Sequence, residues 1–408
     1  MDPNLIHPIE SAPTGALSPF IPQYMALIQA QGYVRASQRH HFRLLQYFDA
    51  WLTKRQLTLA QVTESLIEEF LDSRVRAKWI HVSAPATMRR LIAMLRELGA
   101  VPASVPALPT PLEEVVAKYE RFLLHERALS PESVVSWTPF VYRLLREKFG
   151  DHEVDLRALS ASDITTFIQR YARRHGSSYA RKLVASICSF SRYLSCKGLN
   201  ELDLAKAVPR VARWSLSTLP KHLQAAQVQR IIDSCDRRTA LGRRNYAILL
   251  LLARLGLRAG EVIGLTLEDL NWDRSRITVR GKGSRSAQLP LPADVARAIA
   301  RYLRQDRPRC SSRSVFIRDR APFIGFSRGT AIAKIVQCAL SKAGIVSARK
   351  GAHLLRHSLA TDMLRRGASL DEIGEILRHK SPDTTAIYAK VDIGALRSLA
   401  LAWSGGAQ

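Results

Sequence analysis

Four clusters in the C-terminal part of the chain hold side chains that could work on a phosphate. They are GLRAGE at residues 256–261, GKG at 281–283, HLLRH at 353–357 and LRHKSPDTTAIY at 377–388. Each has a plain reading alone. Arg258 and Glu261 make a local pair that caps a turn. Lys282 at a Gly-flanked hairpin tip is a solvated lysine. His353 and His357 share one helical face at the spacing of a zinc-binding HExxH, but Leu354 stands where the glutamate would be, which favours a packed or hydrogen-bonded His357 over a metal ligand. Tyr388 follows a Ser381-Pro382 helix start and can simply pack.

Together the clusters supply what phosphodiester transfer without a metal requires. The transition state gathers negative charge on the non-bridging oxygens. Arginine guanidinium groups offer planar, permanently charged donors for them. A lysine can protonate the leaving oxygen if neighbouring cations lower its pKa. A histidine can take the proton from a tyrosine nucleophile. A covalent phosphotyrosine keeps the bond energy, so a strand can be rejoined without ATP. Neither cofactor nor metal is expected.

These residues need a scaffold. Residues 274–290 alternate apolar and polar positions around Gly281-Lys282-Gly283, the pattern of a β-hairpin. Arg274, Arg276, Arg280 and Arg285 make it basic, and Arg280 and Arg285 are candidate DNA contacts. Helical patterns flank it, so the expected class is mainly α with a small antiparallel sheet. Two Pro-containing breaks, at 101–111 and from Val208 to Pro220, divide the chain. The expected domains are 1–105, 106–207, a basic linker at 208–219 and 220–408.

The first two pieces read as copies of one four-helix plan. Leu44, Phe48, Trp51 and Leu52 carry the apolar stripe in one; Phe140, Leu144, Leu145 and Phe149 carry it in the other. Ser130 before Pro131 marks a helix start, and Pro139 predicts a kink or break within that helix. The helix from Ser177, with Arg181 and Lys182, is the candidate groove-facing element of the second piece. Arg210 and Arg213 are candidate contacts from the linker.

Sixty-one Lys and Arg against 35 Asp and Glu give a formal net charge of +26, with 47% hydrophobic residues. That balance suits packed domains with a polyanionic partner and excludes a mainly disordered basic tail. Five scattered cysteines without a CxxC fit a reducing compartment. No signal-peptide pattern or membrane span is read, so a cytoplasmic location is expected.

Residues 220–400 resemble the catalytic domain of the tyrosine recombinase (phage integrase) family, most strongly over 353–388. Residues 112–207 resemble its core-binding domain, a SAM-like helical fold. The resemblance implies that Arg258 and Arg356 clamp the scissile phosphate and that Lys282 protonates the 5′ oxygen. His353 would assist proton transfer with Tyr388, His379 would hydrogen-bond the phosphate, and Glu261 would orient an arginine or histidine. Tyr388 would form a 3′-phosphotyrosyl bond. The implied partner is duplex DNA with inverted-repeat sites, held by a homotetramer through a Holliday junction, with an accessory or sister recombinase in some cases and no membrane. The apolar tail residues Leu396, Leu399 and Trp403 would dock on a neighbouring protomer.

The chain departs from the family where glycine often precedes the second histidine, since Arg378 stands there. Ala389-Lys390 stands where Thr-His is frequent, and Ala287 where the hairpin often carries a base. Residues 1–100 lie outside the usual two-domain plan; they would form a second DNA-binding bundle. A type IB topoisomerase or telomere resolvase would use the same chemistry, and a regulator would keep the fold without needing Tyr388 or Lys282.

Overall fold

The computed structural model describes residues 14–76, 82–103, 108–150, 152–209, 221–281, 286–379 and 381–391. Contacts divide the chain into two compact units, Val105–Ser215 and the combination of Met1–Ser104 with Leu216–Gln408. The fold is mainly helical with one three-stranded antiparallel sheet. Among the described residues no helix is long and apolar enough to cross a membrane.

The N-terminal bundle contains α1 (Ile21–Ala30), α2 (Arg35–Lys54), α3 (Glu64–Arg76) and α4 (Ala84–Glu97). On α2, Leu45, Phe48 and Leu52 recur at helical spacing and are fully buried against Phe70, Met88 and Leu91. Leu44 and Trp51 pack at the edge of this core. The buried carboxylate of Asp49 is satisfied by the backbone N–H groups of Gly15 and Leu17, both at 2.9 Å.

The second unit contains α5 (Pro111–Arg121), α6 (Pro131–Phe149), α7 (Ala161–Arg174), α8 (Ser177–Cys196) and the single turn α9 (Leu204–Ala207). Its starts are written in the sequence. The Ser130 hydroxyl accepts from Ser133 N, and Ser160 with Asp163 forms a capping box. Pro139 does not break α6, which runs unbroken to Phe149. Proline forgoes one backbone bond, while Phe140, Val141, Leu144 and Leu145 bury their side chains on the next turns, and that burial outweighs the lost bond.

The C-terminal part begins with α10 (Ala225–Asp233), α11 (Ala240–Arg254) and the short α12 (Ala259–Ile263). The strands β1 (Leu270–Asn271), β2 (Arg276–Arg280) and β3 (Ser286–Pro290) follow. Ile277 pairs with Leu289 and Val279 with Ala287; Ile277 and Val279 turn inward, as alternation predicts. Helices α13 (Ala293–Gln305), α14 (Thr330–Lys342), α15 (Ala352–Arg365), α16 (Leu370–Leu377) and α17 (Pro382–Ala386) complete the fold. Residues 247–253 of α11 are buried on every face, which makes this helix the axis on which α13, α14 and α15 pack.

In the same unit the α1–α2 turn meets the loop before α14. Phe323 N donates to Gln31 O at 3.2 Å. Gly32, at φ +84°, lies under the Phe323 ring, where a Cβ would fall 2.2 Å from a ring carbon.

Candidate active site

Three helix ends and one helix face build the site. The chain leaves α11 through Gly256, at φ +58°, where a Cβ would meet Leu377 at 2.7 Å. This close approach lets the Gly256 carbonyl accept from Arg356 Nη1 at 2.6 Å. Two residues on, Arg258 opens α12, and Glu261 reaches back to it. Glu261 Oε2 accepts from Arg258 N at 2.9 Å, and Oε1 accepts from Arg258 Nη1 at 2.7 Å. The expected local pair is present. Glu261 is only 4% exposed, and its second cationic partner is Arg378, whose Nη2 donates to Oε2 at 2.9 Å.

Helix α15 carries His353, Arg356 and His357 on adjacent turns. Arg356 is 3% exposed; its Nη2 donates to the Leu377 carbonyl. Helix α16 then stops at Arg378, which takes the left-handed conformation (φ 56°, ψ 50°). A residue with a Cβ pays about 1–2 kcal/mol there. The turn aims His379 back at the site. His379 Nδ1 meets Thr385 Oγ1 at 2.7 Å, and its ring lies nearly parallel to that of Tyr388, with centroids 6.3 Å apart. Ser381 and Pro382 start α17 as read, and Tyr388 follows it at 1% exposure, beside Ala360, Ile373 and Leu377.

The ring nitrogen that meets the tyrosine hydroxyl belongs to His357: Nδ1 lies 2.8 Å from Tyr388 Oη. His353 stands one turn earlier, its ring centroid 6.3 Å from that of His357. The sequence reading gave the proton-transfer role to His353 and treated His357 as a core residue. The i, i+4 repeat in HLLRH was the available signal, because it puts both rings on one face.

Charge in the cluster is lopsided. Three guanidinium groups, those of Arg258, Arg356 and Arg378, face the single carboxylate of Glu261. Burial would raise the Glu261 pKa, but the Arg258 N–H and the two guanidiniums hold it below the usual carboxylate range. Burial, with Arg349 and His353 adding to it, pushes His357 down to about 4; burial and Arg356 push His379 to about 4. Both rings are therefore neutral near pH 7, and His357 can accept a proton. Burial raises Tyr388 to about 12 against the pull of Arg356 and Arg258.

Arg280, whose side chain is 53% exposed, also braces the hairpin. Its two amino groups bind Asp269, each at 2.7 Å, and Asp269 also receives Thr266 N. A carboxylate buried to 4% needs such partners, so Arg280 is bound to the base of the hairpin. Arg181 and Lys182 are exposed on α8 with Arg192. Lys282, Arg285, Arg210, Arg213, Leu396, Leu399 and Trp403 lie outside the described residues.

Residues 221–394 match the model described as "Phage integrase family". The chain is 42% identical over 398 residues to "Putative integrase/recombinase y4rA" of Sinorhizobium fredii (strain NBRC 101917 / NGR234), covering 97% of each. It is 33% identical over 271 residues to "Tyrosine recombinase XerD" of Mycobacterium tuberculosis, covering 63% of this chain and 82% of that one. Among solved structures, the XerH site-specific recombinase bound to palindromic difH substrate, a post-cleavage complex, superposes with a TM-score of 0.58. That match has 19% identity over 78% of this chain and 89% of the other, and it speaks to the fold.

Proposed function

The chain belongs to the phage integrase family of tyrosine recombinases, DNA strand-transferases, and from that premise we propose that it recombines specific DNA sites, as the integrase of a mobile element, through a covalent link to Tyr388. The observation that carries the proposal is the 2.8 Å contact between His357 Nδ1 and the Tyr388 hydroxyl, in a pocket charged by Arg258 and Arg356.

In the proposed step Tyr388 Oη attacks phosphorus and the bond to the 5′ oxygen breaks. The phenolic proton passes to neutral His357, and Lys282 gives a proton to the departing oxygen. Arg258 and Arg356 stabilise the charge on the non-bridging oxygens, and His379 adds a hydrogen bond. His353, on the same face of α15, supports the phosphate or His357. The phosphotyrosyl bond is as energetic as the one broken, so attack by a 5′ hydroxyl of the partner duplex reverses the chemistry. Two rounds pass through a Holliday junction on a tetramer bound to inverted repeats. Tyr388, buried here, must become accessible when DNA binds, so docking and the release of α17 are one event in this scheme.

The test is covalent trapping on a nicked suicide substrate. Wild-type protein should form a detergent-resistant adduct, in chelator as well as without it. Tyr388→Phe should bind but form none; an adduct from that variant would refute the assignment. His357→Ala should slow trapping by about 100-fold. Lys282→Ala should fail on normal DNA and recover on a 5′-phosphorothiolate, whose leaving group needs no proton. Because His357 protonates only near pH 4, its contribution should be constant between about pH 6 and 8 and vanish as the pH falls through about 4.

A further inference from the structure

A buried carboxylate beside a phosphate site is a liability. Glu261 is 4% exposed and binds Arg258 through both oxygens. With Arg258 as its sole cationic partner it would draw on the very charge that the scissile phosphate needs. The site resolves this with a second cation on the other oxygen, Oε2, which otherwise receives only the Arg258 backbone N–H. Arg378 Nη2 donates to Glu261 Oε2 at 2.9 Å. Its side chain is 14% exposed, and Nη1 is tied to the Ile376 carbonyl at 3.0 Å. Its own carbonyl lies 3.5 Å from Arg258 Nη2. The residue therefore touches both members of the Arg258–Glu261 pair, with its side chain on one and its backbone on the other.

The backbone adds a second argument. Arg378 is a non-glycine residue at φ 56°, at the turn that ends α16 and delivers His379. Within the turn the side chain makes one bond, from Nη1 to the Ile376 carbonyl. Beyond that local bond the arginine supplies the link across to α12, some 117 residues earlier in the chain.

We propose that Arg378 is a positioning residue for the phosphate clamp: it neutralises Glu261 at Oε2 while the Arg258 guanidinium holds Oε1, which leaves more of the Arg258 charge for the scissile phosphate, and it fixes the α16 turn to the start of α12. The proposal rests on the recombinase reading above. It assigns Arg378 no contact with substrate. It makes the carboxylate a two-sided brace in place of a one-sided drain on the clamp.

The experiment uses the full chain on a nicked suicide duplex with either a normal or a methylphosphonate scissile linkage. The methylphosphonate carries no charge, so it demands less of the clamp. Arg378→Gly relieves the left-handed backbone and should remain folded by circular dichroism. It should trap DNA about 10- to 100-fold more slowly than wild type on normal DNA, the scale of a small misplacement at a reacting centre. The defect should shrink on the methylphosphonate, and Arg378→Lys should restore part of the rate by restoring the charge. A second pair of variants guards against a folding effect. In a Glu261→Gln background, where no carboxylate charge needs cancelling, Arg378→Gly should cost far less than in wild type. Wild-type trapping by Arg378→Gly overturns the proposal, and so does an equal loss on both linkages or an equal loss in both backgrounds. Failure of wild-type protein to trap DNA at all would instead count against the recombinase reading.

Discussion

In α4 the buried positions are Ala84, Thr87, Met88, Leu91, Ile92, Met94 and Leu95; in α8 the positions 99 residues later, Leu183, Ser186, Ile187, Phe190, Ser191, Tyr193 and Leu194, are buried too. The agreement extends upstream. Val62 and Phe70 are buried around the start of α3, as Leu159 and Phe167 are around α7, and each pair follows a 3₁₀ turn, Leu59–Gln61 or Leu156–Ala158. The surfaces do not agree. Where α8 exposes Arg181, Lys182 and Arg192, α4 has Val82 and Ser83 at its start and Ala93. The N-terminal bundle exposes Arg89 on α4 and, one turn apart on α2, Arg35, Arg39 and Arg43. The lesson is that burial fixes a bundle's core positions while leaving its charge free to move to another helix. A shared plan therefore does not carry a shared basic face with it.

The largest effects should come from the shared core. Leu95→Ala and Leu194→Ala each remove a fully buried side chain at matched positions. Each should destabilise its own bundle by about 2–5 kcal/mol, read by hydrogen exchange of the bundle concerned. A large loss in one bundle and a negligible one in the other would break the equivalence. Next comes the surface of α8. Changing Arg181, Lys182 and Arg192 together to Gln should weaken duplex binding by about 100-fold at moderate salt. It should flatten log affinity against log salt by about 2.7 if all three meet phosphate. Smaller again is the same change at Arg35, Arg39 and Arg43, about 10-fold with a shortened footprint at one end. An unchanged footprint would assign the N-terminal bundle to assembly instead of DNA. A larger loss from α2 than from α8 would reverse the comparison.

How much of this was legible beforehand depended on sequence distance. Ser130-Pro131, Ser381-Pro382 and the Arg258–Glu261 pair are local, so residue types at spacings of one to three declare them. The hairpin announced itself by alternation. The contact of His357 with Tyr388 spans 31 residues and exists only because α17 folds back on α15. Arg280 is one of four nearby arginines that look alike in a string, and its pairing with Asp269 belongs to the folded chain alone. Arg378 was visible as a departure from a glycine, but its meaning lay with Glu261 in another helix. At Pro139 the helix is not broken, because the core burial around it carries α6 through the lost backbone bond.

The smallest expected effect gives the sharpest comparison, because it isolates the backbone. Helices α4 and α8 end on the same hydrogen-bonded turn. Gly99 N donates to Arg96 O at 3.0 Å and Ala100 N to Leu95 O at 2.9 Å; Gly198 N donates to Ser195 O at 3.1 Å and Leu199 N to Leu194 O at 2.9 Å. The glycines have φ of +72° and +64°, and a Cβ added to either would meet nothing within 4 Å. Alanine there adds no clash and breaks no bond. Only the left-handed conformation is penalised, by about 1 kcal/mol. Gly99→Ala and Gly198→Ala should therefore destabilise the two bundles equally in denaturant unfolding, although the surfaces around them differ. A clear difference between the two would mean that the helix ends are held by more than their shared turn, and the common plan would then stop at the buried faces.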